Sequence, residues 1–171
     1  MRTDEHPTNA AQVLRVGVFG GAFDPPHMAH LQLAQAALAQ FELDRLHVIP
    51  TGHAWHKTRT LTASEHRLAM ARLAFADIPQ VLVDSREIER EGPTYTVDTL
   101  ASLRTEYPDA ALFLFIGADQ AQAFKTWHRW QDILKMATLV VADRPSDNVG
   151  EKSSSHAQWH NAVSPNVQCL D

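Results

Sequence analysis

Apolar residues along this chain form short runs without alternation, separated by longer segments in which apolar positions recur every three to four residues. The runs predict five β-strands: Leu14–Phe19, Arg45–Pro50, Gln80–Asp84, Ala111–Gly117 and Thr138–Ala142. The segments between them predict helices: His27–Gln40, Ala63–Ala76, Thr96–Glu106, Gln120–Lys125 and Trp130–Met136. Uniformly apolar strands that alternate with helices are typical of parallel strands covered on both faces. The pattern therefore predicts a single α/β domain with a doubly wound parallel sheet of about five strands.

This pattern predicts three segments along the chain. Residues 1–13 are polar and predict a flexible N-terminal segment, and residues 14–145 carry the strand and helix alternation. Residues 146–171 contain three consecutive serines, few apolar residues and a single basic residue, Lys152. We expect them to form an irregular tail, divergent or cut short.

Composition narrows the class of protein. The chain has 171 residues, 44% of them hydrophobic and 20% charged, with a net charge of −5. This balance argues against a nucleic-acid partner, because a phosphate backbone requires a basic surface. No apolar run approaches the ~20 residues that span a bilayer, and the first residues contain no apolar secretory segment. With one cysteine, Cys169, no intrachain disulfide is possible, so we expect a cytoplasmic protein.

Candidate chemistry is concentrated between the first strand and the first helix, where the sequence reads GGAFDPPHMAH from Gly20 to His30. Glycines let the backbone approach a ligand, and the free N–H groups and dipole of a helix start favour an anion. His27 and His30 stand three positions apart and share one helical face. The segment therefore predicts a site for a polyphosphate.

Other motifs fit this segment less well. It lacks the third glycine of a dinucleotide-binding fingerprint, and no Gly-Lys-Ser/Thr follows as in a Walker A loop. The two histidines could instead form half of a metal site, but a third ligand at fixed spacing is not evident. His53 and His56 form only a second isolated pair. Ligands of doubly wound sheets bind beyond the carboxyl ends of the strands, where the other candidate segments also lie.

The segment resembles the signature of the HxGH nucleotidyltransferase superfamily, whose fold is Rossmann-like. Together with a later Tyr-Thr-x-x-Thr-Leu segment at Tyr95 and an Ile-Gly-x-Asp segment at Ile116, it resembles bacterial nicotinate-nucleotide adenylyltransferases. The resemblance covers about Val16 to Pro145 and departs from the signature at Ala29, where the family has glycine. It implies that ATP and nicotinate mononucleotide react, with Mg²⁺, to give deamido-NAD and pyrophosphate. The attacking phosphate is already ionised, so positioning and charge stabilisation suffice and no general base is needed.

The resemblance also implies site residues. His27 and His30 are the expected catalytic residues, and the chain is expected to hold no metal by itself. The expected ATP-binding residues are Gly20, Gly21, Ala22, Phe23, His27, His30, Gly117 and Asp119. The expected mononucleotide-binding residues are Lys57, Arg67, Tyr95, Thr96, Trp127 and Arg144.

Simpler interpretations stay open for several of these residues. Lys57 could be a solvated loop residue, Arg67 an exposed helical arginine and Arg144 a surface arginine at a strand end. Asp24, Thr96 and Asp119 could cap their helices, Phe23 could anchor its loop, and Glu87 could pair with Arg90.

The tail departs from the resemblance. The family carries a serine/threonine-rich segment followed by an arginine near its C-terminus, whereas no arginine follows Arg144 here. The alternative function is therefore a truncated or divergent relative that binds nucleotide with weak catalysis or none. Pantetheine-phosphate adenylyltransferases, which have threonine at the position of His27, and cytidylyltransferases are disfavoured by the Tyr95 segment. The sequence leaves open the oligomeric state and the preference between nicotinate and nicotinamide mononucleotides.

Overall fold

A computed structural model of the chain describes residues 11–52 and 60–142, together with the backbone of residues 167–170. Its strands are β1 Arg15–Gly21, β2 Arg45–Pro50, β3 Val81–Val83, β4 Ala111–Gly117, β5 Thr138–Ala142 and β6 Val167–Leu170. All pair in parallel in one sheet with the order β3-β2-β1-β4-β5-β6. The direction of winding reverses between β1 and β4, which is where sheets of this kind bind ligands. The predicted doubly wound α/β fold is confirmed.

The helices are α1 Met28–Gln40, α2 Ser64–Ala74, α3 Arg86–Glu89, α4 Thr96–Glu106, α5 Ala118–Ala123 and α6 Trp130–Met136. A 3₁₀ turn, Phe124–Thr126, follows α5 directly. The bounds of α4 and α6 agree with the sequence prediction, and α1 begins one residue later than predicted. Helix α3 was not predicted, because four residues are too few to show a helical period.

Two apolar clusters fill the two faces of the sheet. One packs α4, α5 and α6 against β1, β2, β4 and β5 and includes Val18, Leu100, Leu114 and Ile133. The other packs α1 and α2 on the opposite face and includes Phe23, Ala34, Ala71 and Phe115. Because strand side chains alternate between faces, each inner strand contributes to both clusters. No helix in the described part of the chain is both long and apolar enough to cross a membrane.

Strand β6 corrects two sequence predictions. Val167–Leu170 pairs in parallel with β5, so the sheet has six strands in the described part of the chain, one more than the five predicted. Residues 146–171 are accordingly not wholly irregular, and Cys169 lies in a strand opposite Val141. The segment escaped prediction because its apolar positions span only four residues and no helical pattern leads into it.

Candidate functional site

A cavity of about 660 Å³ opens at the carboxyl ends of the strands, on the sheet face that carries α4 and α6. One wall is the backbone of Gly20, Gly21 and Ala22, where β1 passes into the loop before α1. The floor is apolar and includes Val18, Leu114 and Ile133. The cavity therefore brings the predicted glycine segment to the point where the sheet reverses direction.

The loop between β1 and α1 is fixed by Phe23 and Asp24. Phe23 is 2% exposed and adopts a left-handed backbone with φ of 48°, which is unusual for an aromatic residue. Its ring packs edge-on against Phe19 and Phe75, so the predicted anchoring role is confirmed, and Phe23 does not line the cavity. Asp24 is not the N-cap of α1, which is His27, and its carboxylate accepts a hydrogen bond from the amide of Thr62 at 2.9 Å.

His27 and His30 form a stacked pair at the start of α1. His27 is the N-cap residue and is exposed, and His30 is half-buried in the first turn. Their ring centroids lie 3.8 Å apart, and the amide of His27 donates to Nδ1 of His30 at 3.1 Å. Neither ring lines the cavity, but both follow the loop that forms its wall. Their predicted contact with ATP phosphates therefore stays a prediction.

The charge of His30 is set by its surroundings. Its ring packs edge-on against Phe23, with centroids 5.0 Å apart. Burial, followed by repulsion from His27, lowers the pKa of His30 from 6.5 to about 4. The imidazole is therefore neutral at pH 7, and because Nδ1 accepts a hydrogen bond, its proton sits on Nε2. His30 can offer an anion one N–H donor, and the pair carries at most one positive charge.

We expect stability to depend on pH through His30. An unfolded histidine titrates near 6.5, whereas folded His30 titrates at about 4, so the unfolded chain binds more protons between these values. The free energy of unfolding should therefore be highest, as far as His30 determines it, above pH 6.5, where the ring is neutral in both states. It should fall as the pH drops from 6.5 to about 4, because only the unfolded chain then gains the proton. NMR titration of the ring protons should give a midpoint near 4, with the resonance assigned by its loss in His30→Asn. A midpoint above 6 would contradict this assignment of charge.

Tyr95, Thr96 and Trp127 line the same cavity as the glycine segment. Tyr95 is the N-cap residue of α4 and makes no side-chain cap, and Thr96 is the first helical residue, so Thr96 does not cap the helix. Trp127 is half-buried beside Phe124, with ring centroids 5.4 Å apart. The structure thus brings these three predicted residues into one cavity with Gly20, Gly21 and Ala22.

His128 was not predicted, although it lines the same cavity. Its ring stacks on Tyr95 at 4.3 Å between centroids, which joins the start of α4 to the loop before α6. The chain separation of the two residues hides this contact from the sequence, and no local pattern could have revealed it.

Glu87 also lines the cavity, although the sequence predicted no ligand role for it. Its carboxylate is 8% exposed and accepts a hydrogen bond from the hydroxyl of Thr99 at 3.0 Å, while Arg90 donates to the same hydroxyl at 3.2 Å. Burial raises the pKa of Glu87, and Thr99 and Arg90 counter that rise. The expected pairing of Glu87 with Arg90 is therefore mediated by Thr99, and it ties α3 to α4.

Asp119 lines the cavity near the first turn of α5. It does not cap that helix, because the N-cap residue is Gly117, whose amide donates to the side chain of Gln120 at 3.2 Å. Of the remaining predicted residues, Lys57 and Arg144 lie outside the described part of the chain.

Arg67 requires a correction. The sequence predicted that Arg67 binds the mononucleotide or lies exposed on its helix. Its side chain is instead 2% exposed and does not line the cavity. Nε donates to the carbonyl of Thr62 at 2.8 Å, and Nη1 donates to the carbonyls of Ala22 at 3.1 Å and Thr51 at 2.7 Å. The sequence pattern of a helix shows which face a residue lies on. It does not show that the guanidinium of that residue donates to backbone carbonyls of distant loops.

Comparisons with known proteins identify the class of protein. A family model described as cytidylyltransferase-like matches residues 18–168. The chain therefore belongs to the cytidylyltransferase-like family. It is 62% identical over 130 residues to a "Probable nicotinate-nucleotide adenylyltransferase" of Albidiferax ferrireducens, covering 76% of this chain and 66% of that protein. A relative of the same name from Methylibium petroleiphilum is 43% identical over 152 residues, covering 89% and 72%.

The fold has a counterpart among solved structures. The nicotinic acid mononucleotide adenylyltransferase of Plasmodium falciparum, in complex with NaAD, superposes with a TM-score of 0.74. Sequence identity is 15%, and the match covers 92% of this chain and 74% of that one, so this likeness supports the fold alone. The chain itself spans about two thirds of the length of the two curated relatives.

Proposed function

We propose that this protein transfers the adenylyl group of ATP to nicotinate mononucleotide, giving deamido-NAD and pyrophosphate. One observation carries the proposal: a single cavity is lined both by Gly20, Gly21 and Ala22 and by Tyr95, Thr96 and Trp127. The first group suits the phosphates of ATP, and an aromatic group with a helix start suits a pyridine ring that bears a carboxylate. The names of the relatives agree with this choice of substrates.

The proposed reaction is an in-line displacement. A phosphate oxygen of the mononucleotide forms a bond to the α-phosphorus of ATP, and the bond from that phosphorus to the oxygen of the β-phosphate breaks. Pyrophosphate leaves with the electron pair, and no proton needs to be removed from the nucleophile. The protein orients the two substrates and stabilises charge on the phosphates, to which His30 would donate through Nε2.

The proposal assigns Mg²⁺ to the substrate, as its complex with ATP. Mg²⁺ commonly binds substrate phosphates while keeping several waters, and it neutralises charge on the leaving pyrophosphate. Within the described residues no cluster of three or more His, Cys, Asp or Glu side chains could hold a metal. We also propose that the protein acts in the cytoplasm, as the sequence predicts.

The test is an assay of the purified chain with ATP, MgCl₂ and either nicotinate or nicotinamide mononucleotide, measuring dinucleotide and pyrophosphate. We expect equal amounts of deamido-NAD and pyrophosphate with the nicotinate form, and neither product with EDTA or with phosphopantetheine as acceptor. Calorimetric binding of ATP without product from either mononucleotide would instead select the alternative, a nucleotide-binding relative without catalysis.

A further inference from the structure

Arg67 connects the loop after β1 to both ends of the loop between β2 and α2, at the carboxyl ends of the strands where the cavity opens. Its guanidinium donates to carbonyls of the loop after β1, the loop after β2 and the segment before α2, through Ala22, Thr51 and Thr62. The carboxylate of Asp24 lies near enough to act on its charge and accepts the amide of Thr62 at 2.9 Å. Asp24 therefore also joins the loop after β1 to the segment before α2.

Arg67 continues the pairing of β1 and β2 beyond the end of the strands. The last register pair is Gly21 with Pro50, and the amide of Thr51 then donates to the carbonyl of Gly21 at 2.8 Å. One residue further along, the carbonyls of Ala22 and Thr51 both accept from Nη1 of Arg67. Two carbonyls cannot bond each other, so the cation between them sets their separation.

This separation concerns the cavity directly. Ala22 and Thr51 both line it, whereas Arg67 itself does not. Ala22 is also the first residue of the loop that leads to His27 and His30 at the start of α1. The cavity residues Tyr95, Thr96 and Trp127 belong to other elements, and none of the hydrogen bonds of Arg67 described above reaches those elements.

We infer that Arg67 is a positioning residue for the adenylyl-transfer step: it holds the β1 and β2 loops at the spacing that aligns the nucleotide phosphates. The inference rests on the proposed function. It predicts that weakening Arg67 slows turnover, because a misalignment of about 1 Å can cost ~10²-fold in rate, while binding of the mononucleotide is preserved.

The chain offers a matched control in Arg104. Its guanidinium likewise holds backbone carbonyls, donating to Ala110 at 2.6 Å and to Met136 at 2.8 Å. These carbonyls directly precede β4 and β5, at the amino-terminal ends of the strands, whereas the cavity lies at the carboxyl ends. Lysine keeps the charge of arginine but not its planar fork of donors, so it cannot hold several carbonyls at once. Arg67→Lys and Arg104→Lys therefore make the same chemical change at opposite ends of the strands.

The experiment measures kcat and both KM values for the wild type, Arg67→Lys and Arg104→Lys, with the melting temperature of each. We expect both variants to melt at lower temperature, kcat to fall about 10- to 100-fold in Arg67→Lys alone, and the mononucleotide KM to stay within about twofold. Equal kcat in the two variants would overturn the inference, leaving Arg67 a purely structural residue. An inactive wild type would instead refute the proposed function.

Asp24→Asn keeps the inference testable if Arg67→Lys does not fold. It keeps the size of the side chain and an oxygen for the amide of Thr62, but removes the charge beside Arg67. A smaller fall in kcat, again with the mononucleotide KM preserved, would support the positioning role. An unchanged kcat in a folded Asp24→Asn variant would refute it.

Discussion

Replacing His30 with asparagine should lower the rate of pyrophosphate release by about 10²- to 10³-fold, the usual effect of removing one donor aimed at transition-state charge. Asparagine can still accept the amide hydrogen of His27 through its side-chain oxygen, as Nδ1 does at 3.1 Å. It has no group in the place of Nε2, which is the donor that neutral His30 offers. The variant therefore separates the proposed phosphate contact from the local structure of α1.

Stability should change much less than rate. The contact between His30 and Phe23 is an edge-on aromatic pair, whose loss costs about 1 kcal/mol, so the melting temperature should fall by only a few degrees. His30→Ala should likewise lose at least tenfold in rate, with little change in melting temperature.

His66→Asn is the matched control for this substitution. His66 is exposed and occupies the third position of α2, as His30 occupies the third position of α1. Its replacement should leave turnover unchanged. If His30→Asn turns over at the rate of His66→Asn, His30 has no part in the chemistry.

The fold was predictable because its strands are local features of the sequence. β2, β4 and β5 have the predicted bounds, since each is a run of apolar residues buried on both faces. The elements that escaped prediction are α3 and β6, each only four residues long. Four residues are too few to show a hydrophobic period, and such short elements are stabilised mainly by contacts with the rest of the fold.

The site was predictable only where a local motif defines it. Gly20, Gly21 and Ala22 form a wall of the cavity, as the turn between strand and helix implied. The inward direction of Arg67, the ring of His128 on Tyr95 and the hydroxyl of Thr99 on Glu87 depend on contacts across the fold. Such contacts join residues distant along the chain, and a single sequence shows neither partner nor distance.

A buried polar cluster behind α3 is a further feature that the sequence did not reveal. His47 is completely buried, and its Nδ1 donates to the carboxylate of Asp84 at 2.8 Å, while Nε2 lies 3.2 Å from the hydroxyl of Tyr107. Arg86 donates to the same carboxylate through Nε at 2.7 Å and through its amide at 3.0 Å. Asp84 thus links β2, β3, α3 and, through Tyr107, the end of α4.

Asp84→Asn should destabilise the protein by about 2 kcal/mol, because it removes the charge from a partly buried ion pair with Arg86 and weakens the hydrogen bond that completely buried His47 makes to this side chain. Burial alone raises the pKa of Asp84, but hydrogen bonds from His47 and Arg86 outweigh it and hold the pKa below 3.8. A carboxyl with a lowered pKa stabilises the fold above its unfolded value of ~3.9, and this contribution is lost as the pH falls through the folded value. The difference between wild type and variant, measured by urea unfolding, should therefore be constant near neutral pH and shrink below about pH 4.

Asp132→Asn provides the comparison, since Asp132 also accepts from two basic side chains, at 2.9 Å from Arg129 and 3.1 Å from Lys135, but on the surface. Water already solvates those charges, so its replacement should leave the unfolding midpoint nearly unchanged. Equal effects of the two substitutions would mean that burial does not strengthen the Asp84 cluster. Asp84 directly precedes the turn into α3, and the carbonyl of Glu87 in α3 packs closely against Gly52. Loss of the cluster should therefore also make the cavity wall at Glu87 more mobile.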